Sequence, residues 1–253
     1  MMATRAHEGF EADTLPRRAE APQVEGYEER REALATYFDS TARQAWIDLT
    51  SDAKVSGIRA TVRAGRDEMR RVLLSWLPLD LRRMRVLDAG CGTGALTIAA
   101  ANRGAEITGV DVAGGLVDVA RERCPSFTGH GRIWWKSGDM LDPELGRFAH
   151  IVAMDSLIHY ELDDLVDALG KLAERTDASI AFTFAPYTRM LSAMHKVGKA
   201  FPKGDRSPAI VPIAESELVA RLEEAIPAWR VARTERISSG FYSSQAMELV
   251  RRG

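Results

Sequence analysis

The stretch Met84–Val112, MRVLDAGCGTGALTIAAANRGAEITGVDV, decides the fold. A short apolar run ending in "RVLDAG" reads as a buried strand, and "GALTIAAANRG" after it reads as a helix. "EITGVDV" is then a second strand, so the whole stretch is a β-α-β unit. Gly90, Gly92 and Gly94 lie where strand gives way to helix, the place for a tight turn that lets a ligand approach the backbone. The spacing Gly90, Gly92, Ala95 also satisfies the dinucleotide fingerprint G-x-G-x-x-A, so spacing alone leaves a dinucleotide open.

The alternation continues outward. "GLVDVARERC" is a helix, "GRIWWKSGDM" and "FAHIVAMDS" hold strands, "LDDLVDALGKLAERT" is a helix and "ASIAFTFAP" a strand. Near the end, "WRVARTERISSGFYSSQAMELVRR" carries two strand-like runs around a short turn, an antiparallel hairpin. The expected fold is α/β and Rossmann-like: a mostly parallel seven-stranded sheet with helices on both faces. Before it, residues 1–26 read as a disordered tail and 27–80 as a helical lid, leaving 81–253 as the core. An apolar and basic segment at about 186–213, too long for an ordinary connection, reads as an insert over the carboxyl edge of the sheet.

The bulk numbers exclude several classes. The chain has 253 residues, 45% hydrophobic and 28% charged, which suits a globular protein. A net charge of −2 provides no global field to recruit nucleic acid or an anionic membrane. The two cysteines, Cys91 and Cys124, form no metal-ligand spacing, and a reducing cytosolic compartment fits them. No apolar run reaches the roughly 18 to 20 residues of a membrane span.

The acids narrow the ligand. A pyrophosphate at the glycine turn would meet the Asp88 carboxylate, and like charges at low dielectric are costly. S-adenosylmethionine carries an ammonium, a sulfonium and one carboxylate, so Asp88 can take the ammonium while helix-start N–H groups take the carboxylate. Asp111 ends the second strand, 21 residues beyond Gly90, in the place of an acid that bonds ribose hydroxyls. Asp139, after the third strand, is placed to accept from the adenine amino group. Val112 and Met140 follow these two acids and complete the expected cofactor set, with Cys91 as a small filler in the turn. Asp155 is expected near the methionine end, or as a cap for the next helix.

"VLDAGCGTG", "GVDV" and "GDM" together resemble the three cofactor motifs of class I S-adenosylmethionine-dependent methyltransferases. "AMDSLIHY" lacks the Asn/Asp-Pro-Pro-aromatic signature of amino-directed DNA methyltransferases, which argues against nucleic acid. The flanking segments are similar to one family, the magnesium-protoporphyrin IX O-methyltransferases. "YFDSTARQAW", "VRAGRDEMRRVLLSWL", "FPKGDRSPAIVPI" and "SSGFYSSQAMELVR" carry the likeness, and "DRSPAIVP" is closer to its bacteriochlorophyll branch. Where the family has Asn, Gly, Phe and a helix His, this chain has Asp39, Ala42, Arg43 and Arg66.

The resemblance implies methyl transfer to a propionate carboxylate, with magnesium present only within the porphyrin substrate. It implies a part in bacteriochlorophyll synthesis, delivery of substrate by a partner such as the magnesium chelatase large subunit, and peripheral contact with the photosynthetic membrane. His159 is the expected carboxylate-orienting side chain, with contact to the porphyrin's magnesium or a plain backbone bond as alternatives. Tyr37 is the second catalytic candidate, on a lid segment; packing of its helix is the other reading. Arg63, Tyr187 and Phe201 are the expected substrate contacts. Arg59, Arg63, Arg66 and Arg70 share one helical face, either a solvated cationic surface or a propionate clamp. Other small acceptors, such as a quinone precursor, and a nicotinamide-dependent oxidoreductase are the rival functions.

Overall fold

The computed structural model describes residues 26–40, 42–51, 57–126, 128–187 and 209–252. Three helices open the chain: α1 (Tyr27–Asp39), α2 (Arg43–Leu49) and α3 (Gly57–Trp76). The core then runs β1 (Arg85–Ala89), α4 (Ala95–Ala101), β2 (Glu106–Asp111), α5 (Gly114–Arg123), β3 (Arg132–Ser137) and β4 (Phe148–Ala153). It continues through α6 (Leu162–Glu174), β5 (Thr176–Pro186), β6 (Pro212–Ile213), α7 (Glu215–Ala225), β7 (Trp229–Ser239) and β8 (Tyr242–Arg251).

The main sheet has the order β3-β2-β1-β4-β5-β8-β7. Its β1, β2, β3, β4 and β5 pairings are parallel, while β8 pairs antiparallel with both β5 and β7. Strand order reverses between β1 and β4, and a ligand crevice is expected outside their carboxyl ends. The two-residue β6 adds a short parallel pairing to the end of β5. With two residues it is too short to carry any sequence period.

The two faces of the sheet are covered by separate apolar clusters. One gathers Phe148, Ile151, Leu165, Leu169, Phe182 and Leu222 under α6 and α7, and takes in Leu34 of α1. The other gathers Met69, Leu73 and Trp76 of α3 with Leu96, Ala100 and Ile107. The carboxyl-terminal half of α3 is therefore core. Gly65 allows α3 to press on Tyr242, because a Cβ there would stand 2.4 Å from that ring. Ile58, at the same apolar spacing, is instead 56% exposed. Among the described residues, no helix is long and apolar enough to cross a membrane. The tail and most of the insert lie outside the described residues.

Candidate functional site

The glycine turn after β1 is shaped by close approaches. Gly90 has φ 85°, and a Cβ there would meet the Ser156 Cβ at 2.2 Å. Gly94, at φ 82°, starts α4, and a Cβ there would meet the Trp135 ring at 2.5 Å. Only glycine supplies this backbone without strain or clash. Gly94 thus shapes the turn from behind.

A cavity opens over this turn at the carboxyl ends of β1 and β4. Asp88, Gly90, Cys91, Gly92, Asp111, Val112, Met140, Asp155 and His159 line it, as do Phe38, Trp46, Arg63, Arg66 and Arg70 from the helices before the core. Most of the expected cofactor residues and three of the helical arginines named above, Arg63, Arg66 and Arg70, thus meet in one place, although the two sets are far apart in sequence.

Asp88 is 1% exposed and accepts a 2.5 Å hydrogen bond from the Thr97 hydroxyl. Burial pushes its carboxyl up to about 7, with Asp111 adding to the rise and Thr97 opposing it. The Asp111 carboxylate accepts from the backbone N–H of Gly92 at 2.8 Å and of Ala113 at 2.9 Å. It thereby ties the turn to the end of β2. Burial raises its pKa and these two bonds hold it down. The Cys91 thiol is pushed up by burial and then by the two carboxylates, which fits a filler and not a nucleophile.

Asp155 follows β4 with a left-handed φ of 54°. Its carboxylate accepts from the hydroxyls of Tyr242 (3.1 Å), Thr183 (3.2 Å) and Ser244 (3.3 Å) and from the Arg66 guanidinium. The Arg66 guanidinium also sits 4.5 Å over the Trp46 ring. Asp155 therefore joins α3 to β5 and β8; no side-chain cap bond from it is needed. Arg63 donates to the carbonyls of Leu49 (2.9 Å) and Asp48 (2.7 Å), clamping the end of α2 while lining the cavity. Asp39 accepts from the N–H of Gly114 and Gly115 at the start of α5, which docks the end of α1 there.

His159 is 6% exposed, with Nδ1 3.3 Å from the Ala209 carbonyl and its ring 6.2 Å from Phe38. The backbone bond allowed for in the sequence is present, and the ring still lines the cavity.

Three expectations are corrected by position. Tyr37 does not line the cavity: Leu34 and Phe38, one helical turn apart, turn inward, and successive residues are about 100° apart around a helix. Tyr37 packs edge-on against Phe38 instead, at 5.2 Å. Asp139 does not line it either. Tyr27 and Arg31 of α1 donate to its carboxylate at 2.7 and 2.8 Å, and the Leu141 N–H at 2.8 Å. Tyr187 is 61% exposed, outside the cavity. Phe201 lies outside the described residues. The sequence reading missed Phe38 and Trp46 as wall residues. The spacing of Leu34 and Phe38 at i and i+4 put both on one face of α1 but did not say that this face turns inward.

Comparison with known proteins follows the same lines. A family model described as "Magnesium-protoporphyrin IX methyltransferase C-terminus" matches residues 153–251, and a methyltransferase-domain model matches residues 86–177. A magnesium-protoporphyrin O-methyltransferase of Rhodobacter capsulatus is 44% identical over 223 residues, covering 88% of this chain and 97% of that protein. One from a Synechocystis strain is 28% identical, covering 85% of this chain and 94% of the relative. A crystal structure of magnesium protoporphyrin IX methyltransferase from Synechocystis, with bound SAH, superposes with a TM-score of 0.77 at 27% identity. It covers 87% of this chain and 99% of that one.

Proposed function

The chain belongs to the magnesium-protoporphyrin O-methyltransferase family, and on that premise we propose how its cavity works. It is an S-adenosylmethionine-dependent methyltransferase acting on Mg-protoporphyrin IX, with a propionate oxygen as acceptor and a monomethyl ester as product. The observation that carries this reading is the polarity of the cavity. Buried Asp88 and half-buried Asp111 line the glycine turn, while Arg63, Arg66 and Arg70 line the helical wall. A cationic sulfur nucleoside suits the first and an anionic acceptor the second.

S-adenosylmethionine supplies a methyl group activated by its sulfonium. Asp88 takes the ammonium, Asp111 the ribose hydroxyls, and Val112 and Met140 flank the adenine. Gly92 holds Asp111 in place through its N–H. The acceptor carboxylate has an ordinary pKa near ~4 to 4.5 and is ionised at neutral pH, so no strong base is needed. Aligning oxygen, methyl carbon and sulfur can supply about 7 to 11 kcal/mol of the barrier reduction. His159, as a neutral donor, orients the carboxylate. Phe38 and Trp46 close the cavity against water, their rings 5.4 Å apart. Tyr37 acts, in this reading, by fixing Phe38.

Delivery of the macrocycle by a magnesium chelatase subunit, and contact with a membrane surface, belong to the same proposal. Tyr187 and Phe241, both exposed, are apolar side chains that suit contact with such a surface. The direct test is incubation of the full chain with S-adenosylmethionine and Mg-protoporphyrin, with chromatography for the ester. Monomethyl ester from wild type, and a loss of at least tenfold in kcat for His159→Ala, are expected. No ester from the wild type rejects the function; full activity in the variant removes His159 from it.

A further inference from the structure

Arg66 and Arg70 stand one helical turn apart on α3, and both line the cavity. Each donates to one carboxylate. Arg66 donates to Asp155 and stacks on Trp46, with 17% of its side chain exposed. Arg70 donates to Asp67 at 2.6 Å, with 29% exposed. Among the described residues these are their carboxylate partners, and a guanidinium carries five N–H donors in a rigid fork. Donors therefore remain on two pre-oriented cations at the cavity wall. Arg63 differs, since the backbone of α2 engages it.

The chemistry decides which acceptor carboxylate such a pair can hold. In the transfer a bond forms between a propionate oxygen and the methyl carbon, the carbon–sulfur bond breaks, and its electron pair goes to sulfur. No proton moves, and one negative and one positive charge disappear. A guanidinium on the reacting oxygen would bind the charged reactant better than the less charged transition state, and so slow the reaction. On the other propionate the charge is the same throughout, and the cation costs nothing.

We propose that Arg66 and Arg70 form the seat of the propionate that is not methylated, and that this seat limits the product to a monoester. It rests on the carboxyl-methyltransferase reading above. A monoester turned around to offer its remaining carboxylate would place a neutral ester against two cations and lose the charge-assisted bonds. A charge-assisted hydrogen bond corresponds to a factor of about 10 to 100 in binding.

The test uses the full chain with S-adenosylmethionine and two acceptors, Mg-protoporphyrin and its monomethyl ester. Wild type is expected to prefer the diacid by about 10- to 100-fold in kcat/KM. Arg70→Gln leaves buried Asp155 paired, so it should fold. Its kcat/KM for the diacid should fall by about that factor, mainly through KM, while the monoester value stays within about threefold. Arg66→Lys keeps a cation beside Asp155 and should fall between the two. If wild type methylates the diacid and both variants keep the preference, the seat is wrong and the function stands. If wild type methylates neither acceptor, the function falls and the seat with it.

Discussion

The glycine turn and the helical wall of the cavity are built by opposite means. At the turn, Asp88, Gly90, Gly92 and Asp111 are placed by β1 and β2, which neighbour each other in the sheet, and their bonds are local. Gly92 N–H to the Asp111 carboxylate spans only 19 residues. At the wall, Arg66 of α3 and the helix α1 that carries Phe38 are tied to the core by contacts across far longer separations. Arg66 to Asp155 spans 89 residues and Arg31 to Asp139 spans 108. Both regions border one cavity, but only the first is written in a contiguous stretch. The lesson is that a cofactor turn can be specified locally, whereas a substrate wall depends on how separate helices dock.

The largest effect should come from Asp155, where the two regions join. Its side chain is 4% exposed and receives the Arg66 guanidinium and three hydroxyls. Asp155→Ala leaves a nearly buried cation unpaired, and breaking a buried pair in this way costs about 3 to 5 kcal/mol. Urea unfolding followed by circular dichroism measures it. A loss below about 1 kcal/mol would show that the helical wall is not fastened through this carboxylate.

A smaller effect is expected at Asp139. Removing the acceptor of Tyr27 and Arg31 by Asp139→Ala should cost about 1 to 2 kcal/mol of stability. Affinity for S-adenosylmethionine should change by less than about threefold, since Asp139 does not line the cavity. A loss of tenfold or more by calorimetry would return Asp139 to the adenine contact read from the sequence.

These contrasts explain what the sequence made legible. The β-α alternation, the carboxyl-terminal hairpin and the placing of Asp88 and Asp111 at the glycine turn follow from periods of two and 3.6 residues and from turn chemistry, all local. The phase of α1 does not. Periodicity places Tyr37 and Phe38 side by side, and only docking against the core, through Leu34 and the Tyr27–Tyr160 stack at 4.9 Å, decides which one faces inward. Asp139 is ambiguous for a related reason: a strand-end acid suits a ligand and a phenol equally well, and α1 brings the phenol. The arginine face of α3 was visible as a period, but its role was not, because Asp155 and Trp46 come from elsewhere in the chain.

The central claim is that the buried Asp88 carboxylate at the glycine turn binds a cation. It is tested most directly by calorimetric titration of S-adenosylmethionine between pH 5.5 and 7.5, in wild type and in Asp88→Asn. Burial raises the Asp88 carboxyl to about 7 in the ligand-free protein, and only its ionised form attracts an ammonium. Wild-type affinity should therefore fall as pH drops through 7, by about tenfold between pH 6.5 and 5.5. The Asn variant should bind more weakly at pH 7.5 and show a flat profile. A wild-type profile that is flat, or that rises toward low pH, would contradict the account.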